Sequence, residues 1–483
     1  MELKPRFSYD DAKPQKDSNY WSVTENNSNN AWNVNFSNGN VNNNNKYNGN
    51  VVRPVAAFDE LYNAFYKSVE DAYIDCMRGK MSSPQAIEYM QIAWTDLPIL
   101  AWELWTGTYK PTTSTCFLVK YPKLREVFAA NFRDRIVHHW ICLRLEPLFE
   151  ERFISQGNVS FNCRKGYGTQ KCVAHCTEGM AYVSDNFTKP AWVFKGDLVG
   201  FFMSIDKQLL WYLMERFIVR WRKRYEREGW VKLEKVTLYR QTEMPEMYWD
   251  ILLRVTKIVI MHHPEEDCVL NSPPEMWLGL APNKSLFGCD NGKGEPIGNL
   301  TTQLFANFLM SFFDQYVLYI FRNKKHSYER FVDDWDNKCD DLDFLKEAIK
   351  KEETFLRDKL KLTMHKDKRY LQPVSHGVPM VGSYIKPKRE YLSNRTLARF
   401  EERAVGFARS MMAGRELNAL DCKRIEQVIN SYLGFCKGKK TYNKRVEILN
   451  KLGGEFFRYF YIRGHYESVR VKSRYRELAL IAA

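Results

Sequence analysis

The sequence predicts an α+β chain in which short apolar strands carry acidic residues and a helical region closes the C-terminal end. Three observations predict it. Trp192, Val193 and Phe194 run apolar into Asp197, while Tyr328-Glu329-Arg330-Phe331-Val332-Asp333-Asp334-Trp335 brackets an adjacent acid pair with apolar residues, as strands meeting at a tight turn do. Beyond Tyr391, Leu397, Phe400, Ala404 and Phe407, then Val428, Tyr432 and Phe435, recur at helical spacing. A hydrophobic content of 45% over 483 residues supports more than one packed core.

The chain opens on a leader, residues 1–56, in which nearly half the positions from Trp21 to Asn50 are Asn. Such a composition buries little apolar surface, so a disordered segment is expected. The helical pattern starts at Phe58. Asp206 stands where it would cap a helix opening at Lys207-Gln208-Leu209-Leu210. A helical insertion is expected over about 207–282, with the basic run Arg220-Trp221-Arg222-Lys223-Arg224-Tyr225-Glu226-Arg227 inside it. Aromatics interleaved with Arg suit either nucleic acid or a helix whose long side chains lie along its own surface. Leu304 to Phe321 is the most apolar stretch, and Asn307, Asp314 and Gln315 make it a buried helix rather than a span. The closing stretch from Arg463 to Arg476 is basic, a surface for RNA or an acidic partner or a solvated tail.

A formal net charge of +14 and a pI near 9.1 suit a protein that follows phosphate backbones, though ribosomal, nuclease and membrane-surface proteins can be as basic. Eleven Cys without an apolar leader in Met1-Glu2-Leu3-Lys4-Pro5-Arg6 point to reduced thiols and a cytoplasmic setting. Cys172-Val173-Ala174-His175-Cys176 lacks a second ligand pair for zinc, which favours buried thiols on a helix. No membrane partner is expected.

The acids carry the chemistry. A carboxylate at the end of a buried strand is costly unless it binds something, and Asp197 with the Asp333-Asp334 pair offers the oxygen set that Mg2+ prefers. Two Mg2+ ions, or Mn2+ in their place, held by these acids and the backbone carbonyl of Leu198 would activate a primer hydroxyl and stabilise a leaving pyrophosphate.

In order, Tyr121-Pro122-Lys123-Leu124-Arg125-Glu126-Val127 with Arg133-Asp134-Arg135-Ile136-Val137, Ser160-Phe161-Asn162-Cys163-Arg164-Lys165-Gly166-Tyr167-Gly168-Thr169, Asp197, Gly298 to Gln303 and Asp333-Asp334 together resemble a reverse transcriptase, over roughly Phe58 to Arg470. The resemblance implies a right-hand polymerase with fingers at 57–190, a palm of antiparallel sheet and helices at 191–390, and a helical thumb and basic tail at 391–483. It implies an RNA-directed DNA polymerase, with dNTPs, a template RNA and the growing cDNA/RNA duplex as partners. Lys123 and Arg125 would neutralise the nucleotide's triphosphate, since a guanidinium forks onto phosphate oxygens, with a charge pair to Glu126 as the bland alternative; Arg164 would touch template or nucleotide, Phe202 would crowd the sugar 2′ position, and Lys368 would protonate pyrophosphate. Gly377 to Ile385 resembles the hairpin that grips the primer end.

Pro296-Ile297-Gly298-Asn299-Leu300-Thr301-Thr302-Gln303 resembles the loop of diversity-generating retroelement enzymes, where Ser-Gln follows a Val/Ile/Leu-Gly start; here Thr302 replaces the Ser and Gln303 is kept. The leader resembles the variable end of the C-type-lectin-like proteins that such elements diversify, and Asn codons begin with two adenines. The resemblance therefore implies cDNA that is error-prone at adenines, copied from a template repeat for mutagenic retrohoming, and an accessory variability protein as partner. Residues up to about Val55 are expected to report the element's RNA, and Met77, the first Met after Met1, lies too deep for a start. Alternatives are a retron-like or phage-defence reverse transcriptase without diversification, or a non-catalytic RNA-binding scaffold. The intact Asp197, Asp333 and Asp334 oppose the last.

Overall fold

The computed structural model describes residues 19–25, 30–35, 41–45, 53–120, 123–228 and 247–475. The chain is α+β. In the leader the backbone forms a three-stranded antiparallel sheet, β1 (Asn19–Glu25), β2 (Asn30–Asn35) and β3 (Val41–Asn45). Composition predicted disorder there. The alternation Trp32-Asn33-Val34-Asn35 has the period of a strand, and a polar composition does not prevent backbone pairing. The last leader residues, 53–56, belong to the helix that follows, and the remainder of the leader lies outside the described residues.

Two long helices follow, α1 (Arg53–Met77) and α2 (Pro84–Thr106). Pro84 sits at the first turn of α2, where its missing N–H costs nothing, and Gly107 ends the helix in the left-handed region at φ 83°. Strands β4 (Ser114–Val119) and β5 (Arg125–Ala129) pair antiparallel ahead of α3 (Phe132–Ser155), which Asn131 caps through the Arg133 N–H. Then come α4 (Thr169–Val183), β6 (Trp192–Gly196), the single turn α5 (Phe201–Ser204), α6 (Lys207–Glu228) and α7 (Trp249–Met261). Asp206 caps α6 as its sequence position predicts, accepting from the Leu209 N–H at 2.8 Å. The insertion is not purely helical, because β7 (Cys268–Leu270) adds parallel to β4.

The helix α8 (Leu300–Ile320) is buried along most of its length, as its apolar sequence requires, and no helix among the described residues is long and apolar enough to cross a membrane. It leads into the hairpin of β8 (His326–Phe331) and β9 (Asp334–Cys339). After α9 (Leu342–Leu360), β10 (Tyr370–Pro373) completes a four-stranded antiparallel sheet in the order β10-β6-β9-β8. One apolar core spans α1–α3, α6–α9 and this sheet, with Phe65, Trp140, Phe149, Phe194, Phe308 and Trp335 fully or almost fully buried. A smaller core under the sheet joins Val173, Cys176 and Met180 of α4 to Val193 of β6. Cys172 and Cys176 are the buried helical thiols that the sequence favoured.

The strands β11 (Val378–Met380), β12 (Ser383–Lys386) and β13 (Arg389–Leu392) form an antiparallel sheet. Its entry needs Gly377, at φ 95°, since a Cβ there would stand 2.7 Å from the Ile385 carbonyl oxygen. The C-terminal region has a separate core built on Phe400, Ala404, Ile425, Leu433, Phe456 and Val469. It comprises α10 (Asn394–Phe400), a π-turn at Glu401–Val405, α11 (Gly406–Met412), α12 (Ala419–Cys436), α13 (Tyr442–Asn450) and α14 (Gly453–Tyr459). The basic closing stretch is a hairpin, not a tail, as far as residue 475: β14 (Phe460–Arg463) pairs with β15 (Ser468–Val471). Val469 and Val471 alternate inward while Arg470 meets Glu426 at 3.0 Å, so the apolar period overrides the charge.

Candidate active site

Asp197 follows β6 directly. Gly196 pairs with Trp335, and a Cβ at position 196 would stand 2.3 Å from the Trp335 ring, so only Gly lets the two strands close at this end. Asp197 is the next residue after that last pair on one strand and Asp334 the residue before it on the other, so both lie at the same end of the sheet. Asp333 and Val332 form the two-residue link between the paired Phe331 and Asp334. Val332 holds φ 62°, a left-handed conformation that a β-branched residue adopts only under constraint. The constraint is visible: its N–H donates to Asn162 Oδ1 at 2.9 Å and its carbonyl accepts from the Arg330 guanidinium at 2.9 Å. Arg330 is itself locked by Asp314 and Asn307 on α8.

The three carboxylates share one environment. Burial, then the charges of Asp334 and Asp197, push the Asp333 carboxyl up to about 6. Lys368 Nζ donates to Asp197 Oδ2 at 2.7 Å, and Lys195 Nζ stands 3.6 Å from Asp334 Oδ2. Lys195 was not singled out from sequence, although it lies two residues before Asp197, the spacing that puts two strand residues on one face. The Asp197 carbonyl accepts from the His365 N–H at 2.8 Å, which ties the segment of Lys368 to the strand end. Leu198 is buried and bridges to Met364.

Further positive charge faces these acids. Burial lowers the Lys123 pKa first, then Arg395 and Lys368; Asp197 opposes the shift. Arg125, at the start of β5, reaches the field of Lys123 and of Arg399 on α10. Lys123 thus lies in the field of Arg395, Lys368, Arg125 and Asp197, with Arg395 supplied by a helix far away in sequence. Phe202 is half-buried on α5, its ring 5.1 Å from that of Phe201. Its carbonyl accepts from the Glu295 N–H at 2.8 Å, which links it to the loop of Gly298. Gly298, at φ 134°, lets that loop lie on β5, since a Cβ would stand 2.4 Å from the Phe128 carbonyl oxygen.

Gln303 sits in the first turn of α8 and accepts from Cys163 Sγ at 3.1 Å, one helical turn before the Asn307 that braces the hairpin. Arg164 is placed differently from the expectation of a nucleotide contact. Its guanidinium is buried, forks onto Glu150 at 2.5 and 2.9 Å, donates to the Ser160 carbonyl and Asn158, and stacks on Tyr167 at 3.8 Å. Glu150 lies fourteen residues upstream on α3, so nothing local in the sequence announces this pair.

A second acidic cluster lies deeper in the sheet. Glu329 of β8 pairs across the strands with Asp336 of β9, and Lys338 Nζ donates to both. All three are fully buried, with Cys176 beside them and His175 at 3.3 Å from Glu329. Cys176, Glu329 and Asp336 bring ligand atoms within 4.8 Å of one another. That spacing is already used by the Lys338 ammonium, so the donor set does not fit a metal ion without displacing it.

No protein-family model matches the sequence, and no curated protein matches it. Among solved structures the chain is similar to telomerase from Candida albicans in complex with a TWJ fragment of telomeric RNA, at 10% identity and a TM-score of 0.39, over 72% of this chain and 59% of that one. It is also similar to apo telomerase from Candida tropicalis, at 10% identity and a TM-score of 0.41, over 72% of this chain and 63% of that one. The chain thus matches less than two thirds of those telomerases' length.

Proposed function

We propose that this chain is an RNA-directed DNA polymerase working at Asp197, Asp333 and Asp334. The observation that carries the reading is the meeting of three carboxylates at one end of an antiparallel sheet, with Lys368 and Lys195 against them and Lys123 in the field of Asp197. The donors suit Mg2+: they are hard oxygens, burial and then their mutual repulsion drive Asp333 toward protonation, and two ammonium groups lie against them where cationic charge is needed. Asp197, Asp333, Asp334 and the Leu198 carbonyl would hold two Mg2+ ions, which when bound supply charge neutralisation for nucleotidyl transfer.

The chain's own residues do the rest. Lys123 and Arg125 draw the nucleotide's triphosphate toward the acids. Lys368 keeps a proton on Nζ beside Asp197, within reach of groups bound there, and can release it to a departing pyrophosphate oxygen. The half-buried Phe202 ring, braced by Phe201, stands as a wall against a ribose 2′-hydroxyl. Gln303, tied to Cys163 next to the hairpin, offers an amide to the base pair being formed.

The finer reading is a diversity-generating retroelement enzyme, supported by Thr302-Gln303 and by the Asn-rich leader with its Trp and Val alternation. It adds an accessory variability protein and a template-repeat RNA as partners. Purified chain given RNA template, primer, dNTPs and Mg2+ should make cDNA, and Asp333→Ala should make none; cDNA from that variant refutes the site. Sequencing the product should place errors mainly opposite template adenines. Errors spread evenly over the four bases would leave a reverse transcriptase without diversification.

A further inference from the structure

The basic run of α6 is not part of this site. Arg216, Arg220, Lys223 and Arg227 are exposed at spacings of four, three and four, which puts them in one stripe along the helix. The stripe borders a cleft of about 1090 Å3 between α6, the C-terminal end of α3 and the distal part of α8. Phe217 and Trp221, both half-buried, lie on its floor. Across from them Arg152 stacks on the Phe312 ring at 4.2 Å and donates to Ser311 Oγ at 2.7 Å, with no carboxylate partner among the described residues. Burial lowers its pKa to about 10, with Asp314 opposing and Arg220 adding to the fall, so the cleft holds a partly desolvated guanidinium.

Arg222, which lies off this stripe, is balanced. Arg222 pairs with Glu226 at 2.9 Å and with Asp250 at 2.5 Å. Inside the cleft six cations face two carboxylates, Glu151 and Glu228, and Arg224 and Arg227 share the latter. The cleft is also remote from polymerisation. Gln315 lines it and lies twelve residues along α8 from Gln303, roughly 18 Å at the rise of an α-helix.

From Arg216 to Arg227 the stripe runs roughly 17 Å, long enough to follow several successive phosphates of one strand and too long for a single nucleotide. Trp221 and Phe217 offer faces on which bases stack whatever their sequence. We propose that this cleft is a second nucleic-acid site, which grips the backbone of an RNA segment outside the polymerising centre. The choice of RNA among polyanions rests on the polymerase reading above. Held there, the RNA stays tethered while its templating stretch moves through the site.

The test is the full-length Arg220→Glu/Lys223→Glu variant. Both side chains are exposed and neither has a carboxylate partner among the described residues, so the change breaks no ion pair. Binding of a labelled RNA hairpin, without dNTPs, is measured by anisotropy over a salt series. The expected result is at least a tenfold weaker affinity and a salt slope shallower by roughly 0.7 to 0.9 for each phosphate that is no longer neutralised. Extension of a short primer–template confined to the carboxylate site should keep its wild-type rate. The charge-keeping pair Arg220→Lys/Lys223→Arg should bind as wild type does. Equal affinity and slope in wild type and the Glu pair would overturn the proposal, as would unchanged RNA binding alongside loss of an acidic protein partner. Absence of polymerisation in every form refutes the polymerase reading instead, because the binding assay needs no catalysis.

Discussion

Two clusters of carboxylates share the central sheet, and they solve the same electrostatic problem in opposite ways. Asp334 and Asp336 are two residues apart on β9, so both project from one face roughly 7 Å from each other. Asp336 opposes Glu329 across the strands, a pairing of like charges that destabilises a sheet unless a cation intervenes. Lys338 intervenes from the next position on that face, and all three are sealed from water. At the sheet end, Asp334 remains 41% exposed, Asp333 is pushed toward protonation, and the nearby ammonium groups reach in from partly exposed side chains. Internal neutralisation marks a structural cluster. Charge left for a ligand marks a site.

The largest break in this comparison should come from Lys338→Met. It leaves Glu329 and Asp336 facing each other in a dry interior, which costs about 3–5 kcal/mol of folding stability. Urea unfolding measures it, and the triple change Glu329→Gln/Asp336→Asn/Lys338→Met should recover most of the loss. A loss below about 1 kcal/mol would mean that a proton, not Lys338, neutralises the pair.

Next in size, Asp334→Asn should lower primer extension by about 10²–10³-fold, the scale of removing one preorganised charge from a reacting centre. Its unfolding midpoint should stay unchanged or rise, because the change relieves repulsion on Asp333. A fall in stability as large as that of Lys338→Met would make the sheet end structural too.

The legibility of these clusters in the sequence differed for a physical reason. Asp197 and Asp333-Asp334 were readable because acids flanked by Val193, Phe194, Phe331 and Trp335 have no local partner to explain them. The strand positions around them followed from the same apolar runs. Glu329, Asp336 and Lys338 are buried more deeply still, yet their balance depends on cross-strand register, which no local pattern encodes. Arg164 failed for the same reason, since its partner Glu150 is set by packing between α3 and the following loop. The hairpin of Phe460 to Val471 was hidden because its charges were more conspicuous than its period-two apolar residues.

A smaller effect should distinguish the wall beside the acids from ordinary core. Phe202 is only half-buried, unlike Phe201, which is 3% exposed, so the two adjacent rings ought to respond differently. Phe202→Ala should let ribonucleotides in, reducing the preference for dNTP over NTP in single-nucleotide extension roughly tenfold or more. Phe201→Ala should instead cost about 3–5 kcal/mol of stability without changing sugar preference per active molecule. The reverse pattern would make Phe202 core and leave sugar choice to another residue.

Glu295 adds a third solution to the comparison, and the smallest expected effect. It is buried behind the site, one carboxylate oxygen has no hydrogen-bond partner, and the nearest cation, Lys207, donates its Nζ to the His262 carbonyl instead. Burial raises its pKa to about 8, against which the Lys207 charge works only partly, so the group stays protonated at neutral pH where Glu329 is ionised. The folded-state value lies above the ordinary 4.5, so the stability that this carboxyl contributes is whole below about pH 4.5 and is lost as pH rises through about 8. Wild type should therefore lose on the order of 1 kcal/mol or more relative to Glu295→Gln as unfolding is measured from pH 5 to pH 8. Parallel pH curves for the two proteins would show that Lys207 does for Glu295 what Lys338 does for Glu329.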